Sequence, residues 1–231
     1  LLMVFFAYMS FFFFASLSFN VVRQGVSLAL LLYAYSLVEK NGSKIKITLY
    51  AILSIAFHTT SIIPIIIFLM VNIIQINRKK LLIYSLIIYI IALLLAYFNY
   101  GILNVAPVLS NLLVENRRSA YLAANDVEGY VVGFKAQFAL FNTFFLGLAL
   151  YINNKLRDSN IKNQHSILLL YYIIASAVFF LVFQIPYSDR WGLFSWCCIP
   201  FLLTPLFYSP YLKGKIKIHF IIMLLLIFMA I

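Results

Sequence analysis

Seven apolar stretches follow one another along this chain, at roughly 1–19, 21–38, 81–98, 136–153, 166–184, 192–209 and 216–231. Each approaches the ~20 residues that a helix needs to cross the ~30 Å of hydrocarbon in a bilayer. Runs this long and this free of charge take hydrocarbon as their solvent, and their backbones must satisfy their own hydrogen bonds there. Composition agrees: 65% of the 231 residues are hydrophobic and 10% are charged, against roughly 45–50% and about 25% in soluble domains. Too little polar surface remains for a water-facing shell. The expectation is an all-α, polytopic helix bundle integral to a membrane, a single domain over 1–231 with about seven spans.

The stretch from Ile47 to Ile76 breaks the pattern. As one straight helix it would be ~45 Å long at ~1.5 Å per residue, which demands a tilt near ~48°, beyond the usual limit of about 40°. Its middle reads His58, Thr59, Thr60, Ser61 and then Pro64, a polar break followed by a helix breaker. A re-entrant helical hairpin over 47–76 fits better. Charge placement supports it. With a hairpin, twelve of the seventeen lysines and arginines fall on one side, which the positive-inside rule makes cytoplasmic. Ten of those twelve are Lys, whereas four of the five on the outer side are Arg: Arg23, Arg117, Arg118 and Arg190, with Lys135 the fifth. The net charge of +11 is thus a topology signal, and no nucleic acid is implied. Arginine's planar fork grips phosphate or carboxylate in two places, so the outer set looks selected for binding.

Cys197 and Cys198 are adjacent in an apolar run, with no Cys/His cluster to hold zinc, and no metal is expected. The first residues lack an initiator Met and a charged leader, and the chain stops inside an apolar run. It reads as a fragment of a longer protein.

Polar residues inside apolar helices are rare and tend to face cavities. Asn20, Arg23, Gln24 and Ser27 fall at i, i+3, i+4 and i+7, one polar stripe on an otherwise apolar helix, so something polar must face it. The simpler reading has Arg23 snorkelling to headgroups and Asn20 capping the helix. His58 is read as the one histidine embedded in an apolar span, with His165 in an inner loop and His219 near an inner interface. An outer amphipathic helix over about 107–124 would present Arg117, Arg118 and Tyr121. Asp126 and Glu128 alone make a weak cation site. The last outer loop crowds Tyr187, Asp189, Arg190 and Trp191 into five positions. Gln137 and Asn142 are read as helix-to-helix hydrogen-bonding residues.

FNVVRQGVSLAL, followed some thirty residues later by AFHTTSIIPI, resembles the Asn-x-x-Arg-Gln and Phe-His-x-Ser-type signatures of the EpsG-like branch of Wzy-type polysaccharide polymerases. RRSAY and SDRWGLF are similar to that family's later outer Arg and Tyr motifs, and the likeness covers most of the chain. The resemblance implies further helices before Leu1. It also implies a multi-pass enzyme of the bacterial inner membrane that joins undecaprenyl-diphosphate-linked oligosaccharide units on the outer face. No nucleotide sugar, metal or other cofactor is implied, and the partners are that lipid-linked oligosaccharide, membrane lipid and a chain-length regulator protein. On this reading Arg23, His58, Asp189 and Arg190 are catalytic, and Asn20, Gln24, Arg117, Arg118, Tyr121 and Tyr187 bind substrate. The rival classes are a flippase of lipid-linked saccharides and another membrane transferase that modifies surface glycans.

Overall fold

The computed structural model describes residues 2–73, 78–102, 132–185, 187–209 and 212. Among them every regular element is helical, as expected. The amphipathic stretch at 107–124 and the last apolar run at 216–231 lie outside the described residues. The chain divides into two compact units, one comprising Leu1–Gln75, Leu148–Tyr171 and Trp196–Ile231, the other Ile76–Gly147 and Tyr172–Ser195.

In the first unit the expected span at 1–19 is not one rod. Helix α1 (Leu2–Met9) stops at Ser10, and α2 (Phe12–Ala15) passes into a π turn over Ser16–Asn20. At Val21 the chain leaves helical geometry, and Phe12–Asn20 meets Val22–Glu39 at 114°. Gly25 permits this fold-back, since a Cβ there would sit 2.6 Å from the carbonyl oxygen of Leu17. Helix α3 (Val22–Glu39) then runs for 18 residues. It closes on Asn41 in the left-handed region (φ 50) with Gly42 N–H donating to the Leu37 carbonyl at 2.7 Å, a closure that satisfies carbonyls the helix leaves unpaired.

Helix α4 (Lys44–Phe57) ends where His58 adopts an extended backbone (φ −152, ψ 106). A 3₁₀ turn over Thr59–Ser61 leads into α5 (Ile62–Ile73). Pro64 falls in the first turn of α5, where its missing N–H costs nothing. The Ser27 hydroxyl meets those of Ser54 (2.8 Å) and Ser61; further along α3, Tyr33 packs on Tyr50 at 4.7 Å and Tyr35 on Phe68 at 4.9 Å. Numbers ascending on α3 therefore meet descending numbers on α4 and ascending ones on α5, so the chain reverses at His58. The unbroken rod is excluded, and the helical hairpin expected over 47–76 is present across the described Lys44–Ile73. The described lengths of its arms, 14 and 12 residues, are about 21 and 18 Å, against a ~30 Å hydrocarbon core.

The second unit holds α6 (Arg78–Tyr97), the first part of α7 (Ala136–Lys155) and the second part of α8 (Ser159–Leu181). Tyr89 of α6 bonds Thr143 of α7 at 2.9 Å and packs on Phe180 of α8 at 5.1 Å. Asn142 is fully buried. Its side-chain oxygen accepts from Tyr172 (3.2 Å), Ser176 (3.0 Å) and Ser195 (3.4 Å), which is the helix-to-helix role read for it; Gln137 is exposed. Asn99, left-handed at φ 58, ends α6 and accepts from Phe134 N–H at 3.1 Å, tying that end to the approach of α7.

The expected span at 192–209 is a broken one: α9 (Asp189–Trp196), α10 (Ile199–Leu203) and α11 (Pro205–Tyr208). The interruptions precede Pro200 and Pro205, because proline lacks the N–H that would continue the i→i−4 ladder, while the backbone at Thr204 stays helical (φ −49, ψ −42). Among the described residues four segments are long and apolar enough to cross a membrane, five if the bent pair at Val21 counts as one span. The first two of the seven expected spans have become that pair.

His165 corrects a second expectation. It lies within α8, 5% exposed, with Nδ1 3.2 Å from Asn153 Oδ1 and Nε2 3.1 Å from the Leu202 carbonyl. Asp158 Oδ1 accepts from Asn160 and Ile161 N–H (2.9 and 3.0 Å), an N-cap that starts the helix well before the apolar run does.

Candidate functional site

In the second unit the segment between α8 and α9 carries most of the chemistry. Tyr187 has φ 58, a left-handed conformation that costs an L-residue roughly 1–2 kcal/mol and that persists only where its surroundings enforce it. The turn closes through Arg190 N–H to the Tyr187 carbonyl (3.1 Å) and Trp191 N–H to the Ser188 carbonyl (2.9 Å). The Arg190 guanidinium then lies 4.7 Å from the centre of the Tyr187 ring, an aromatic platform for an exposed cation. Asp189 opens α9, where the helix dipole favours a carboxylate.

Beneath this turn sits Lys135, only 8% exposed. Its Nζ donates to Ser188 Oγ at 3.0 Å and lies 5.9 Å from the Phe138 ring centre. Burial lowers its pKa and the Asp189 carboxylate opposes that shift. In the same unit the amide of Gln184 has both its oxygen and nitrogen buried with no hydrogen-bond partner among the described residues. Gly101 admits it: a Cβ there would lie 1.8 Å from Gln184 Oε1. Unsatisfied buried amides are uncommon in native proteins and call for an explanation such as a polar ligand. Together these groups offer two cations, a carboxylate and an aromatic face, suited to gripping an anion and a hydroxyl-rich molecule.

In the first unit, Gln24 is 2% exposed and Ser27 fully buried; Ser54 and Ser61 are the polar partners that the stripe on α3 requires. Asn20 is not part of that stripe. It lies in the π turn on the other side of the bend at Val21, so a helical spacing counted through Val21 does not apply. Arg23 is exposed one turn before Ser27, and His58 is part-exposed at the tip of the hairpin that Ser27 holds.

Of the sequence-based candidates, Asn20, Arg23, Gln24 and His58 belong to the first unit, and Tyr187, Asp189 and Arg190 to the second. Arg117, Arg118 and Tyr121 lie outside the described residues. Lys135 was missed as a site residue. Nothing local marks it, because its partner is 53 positions away. Among the described residues no three His, Cys, Asp or Glu side chains converge, and the sulfurs of Cys197 and Cys198, 3.9 Å apart, form no disulfide.

The family model described as "EpsG family" matches residues 1–231. No curated protein and no solved structure matches the chain. Apolar helices that fit a bilayer, polar residues gathered at helix breaks, and a match along the entire sequence lead to one conclusion: this multi-pass membrane protein belongs to the EpsG family and to polysaccharide biosynthesis.

Proposed function

We propose that the protein is a polymerase that joins oligosaccharide units carried on undecaprenyl diphosphate at the outer face of the bacterial inner membrane. The observation that carries this reading is the turn at 187–190, where an exposed guanidinium rests on a strained tyrosine above a buried ammonium. In the reaction the acceptor sugar hydroxyl attacks the anomeric carbon of the donor. The carbon–oxygen bond to the diphosphate breaks, its electron pair stays with the departing diphosphate, and the hydroxyl proton passes to a base. Negative charge grows on the leaving group, so fixed cations in a site with little water are the main requirement. Arg190 and Lys135 supply them at the turn, and Arg23, Arg117 and Arg118 are proposed as diphosphate ligands. Asp189 or His58 takes the proton. Gln24 and Tyr187 orient the sugars, and Asn20 and Tyr121 contribute to substrate binding. A chain-length regulator protein is the proposed partner for setting polymer size.

Arg23→Ala, His58→Ala and Arg190→Ala, each expressed in cells lacking the native gene, test this reading. The expected result is normal membrane abundance with single lipid-linked units accumulating on the outer face. Units stranded on the cytoplasmic face would mean a flippase, and finished glycan of unchanged length lacking one decoration would mean a modifying transferase.

A further inference from the structure

The first unit also contains a cavity of about 110 Å³ that no polar atom lines. Leu28, Leu31, Tyr35 and Val38 of α3 form one wall, and Ala51 of α4 and Phe68 of α5 contribute another. The α3 residues recur at i, i+3, i+7 and i+10, so they share one face of that helix, running ~15 Å along its axis. One turn earlier the same side carries Gln24 and Ser27, and Arg23 stands at the helix start. Arg23 lies about 100° round the axis from the centre of this face, so the first turn of the helix is cationic and polar, and the face beyond it is apolar but for the Tyr35 hydroxyl.

That pattern is complementary to an amphiphile with an anionic head and a hydrocarbon chain. A free sugar phosphate would gain nothing from the apolar part, and a neutral hydrocarbon nothing from the guanidinium. We propose that the cavity holds the head-proximal segment of the hydrocarbon chain of the lipid-linked substrate, with the anionic head at Arg23; this rests on the polymerase reading. The volume is below the ~150 Å³ of an apolar cavity that takes up benzene, so it receives one short segment and the remainder of the chain lies in the bilayer.

The test uses the full chain in lipid nanodiscs and a polyprenyl phosphate bearing a diazirine close to its head. Light-induced label should fall on residues 28–38, 47–51 and 65–69, and excess unlabelled polyprenyl phosphate, but not phosphatidylglycerol, should remove it. Ala51→Leu fills the cavity and should weaken labelling and raise KM for the lipid-linked substrate about tenfold with kcat retained. Label spread over lipid-facing positions such as Ile83 and Ile87 would overturn the proposal, as would equal competition by phosphatidylglycerol. The labelling arm uses unaltered protein and decides the matter even if Ala51→Leu fails to insert. Competed label without polymer synthesis would sustain the site while ending the polymerase reading; scattered label, with polymer made at unchanged KM by Ala51→Leu, would end the site alone.

Discussion

Lys135 shows how a residue can weaken a fold and still be kept in it. Its pKa is lowered by burial and partly restored by Asp189. A lysine whose folded pKa lies below its unfolded one opposes folding wherever both states are protonated, and that cost fades as pH rises through the folded value toward the unfolded one. Lys135→Met should therefore unfold at a higher temperature than the unaltered protein at neutral pH. The gap should narrow as pH approaches 10.5, the ordinary lysine value, while polymer synthesis is lost. Thermal unfolding in detergent across pH measures this; a less stable variant at neutral pH would mean that the bond to Ser188 outweighs the burial. Tyr187 makes the matching case for the backbone. Tyr187→Gly should be more stable than Tyr187→Ala by about 1 kcal/mol, because only glycine adopts φ > 0 without cost. Both should lose activity as Arg190 loses its platform. Equal stabilities would show that the turn relaxes. Tyr187, Asp189 and Arg190 were legible as a group because they are neighbours in sequence, whereas Lys135 was not, because tertiary packing alone brings it to Ser188.

At the scale of elements, two devices bend what would otherwise be straight apolar helices. Gly25 accepts the Leu17 carbonyl at a distance no side chain allows, and Gly25→Ala should destabilise the first unit by about 1–3 kcal/mol through forced displacement of backbone. Reversible unfolding in mixed micelles is the measurement, and an unchanged midpoint would refute the close approach. The serine cluster of Ser27, Ser54 and Ser61 holds α4 and the turn of the hairpin to α3. Interhelical hydrogen bonds in bilayers average about 0.6 kcal/mol and reach about 1.7, so Ser27→Ala, which removes the hydroxyl's contacts with the Ser54 carbonyl and with the Ser54 and Ser61 hydroxyls, should cost about 1–2 kcal/mol and increase protease access near His58. The hairpin was legible because its length did not suit a span and its middle was polar. A boundary near Asn20 was legible as the break between two apolar runs, but that it cuts Asn20 off from the stripe on α3 was not, because the bend is set by backbone packing across Gly25.

For the whole molecule, the orientation proposed from charge puts Gly133 outside and Ser159 inside; within the second unit, Gly133 N–H donates to the Phe183 carbonyl and Phe134 N–H to Asn99, which gathers Asn99, Gly133 and Phe183 at one end. In a background with Cys197 and Cys198 replaced by Ala, Gly133→Cys should react with an impermeant maleimide in intact cells and Ser159→Cys only after permeabilisation. The opposite pattern would reverse the proposed orientation. Hydropathy and charge determined that the chain is a helical membrane protein, which segments are apolar, and where one of them must fold back. These are properties of transfer from water and can be summed along a chain. The broken spans at 1–19 and 192–209, the burial of His165, the partner of Lys135 and the apolar cavity beside α3 were decided only by tertiary structure, because each depends on which surfaces meet, and in a sequence this uniformly apolar many pairings satisfy the same pattern.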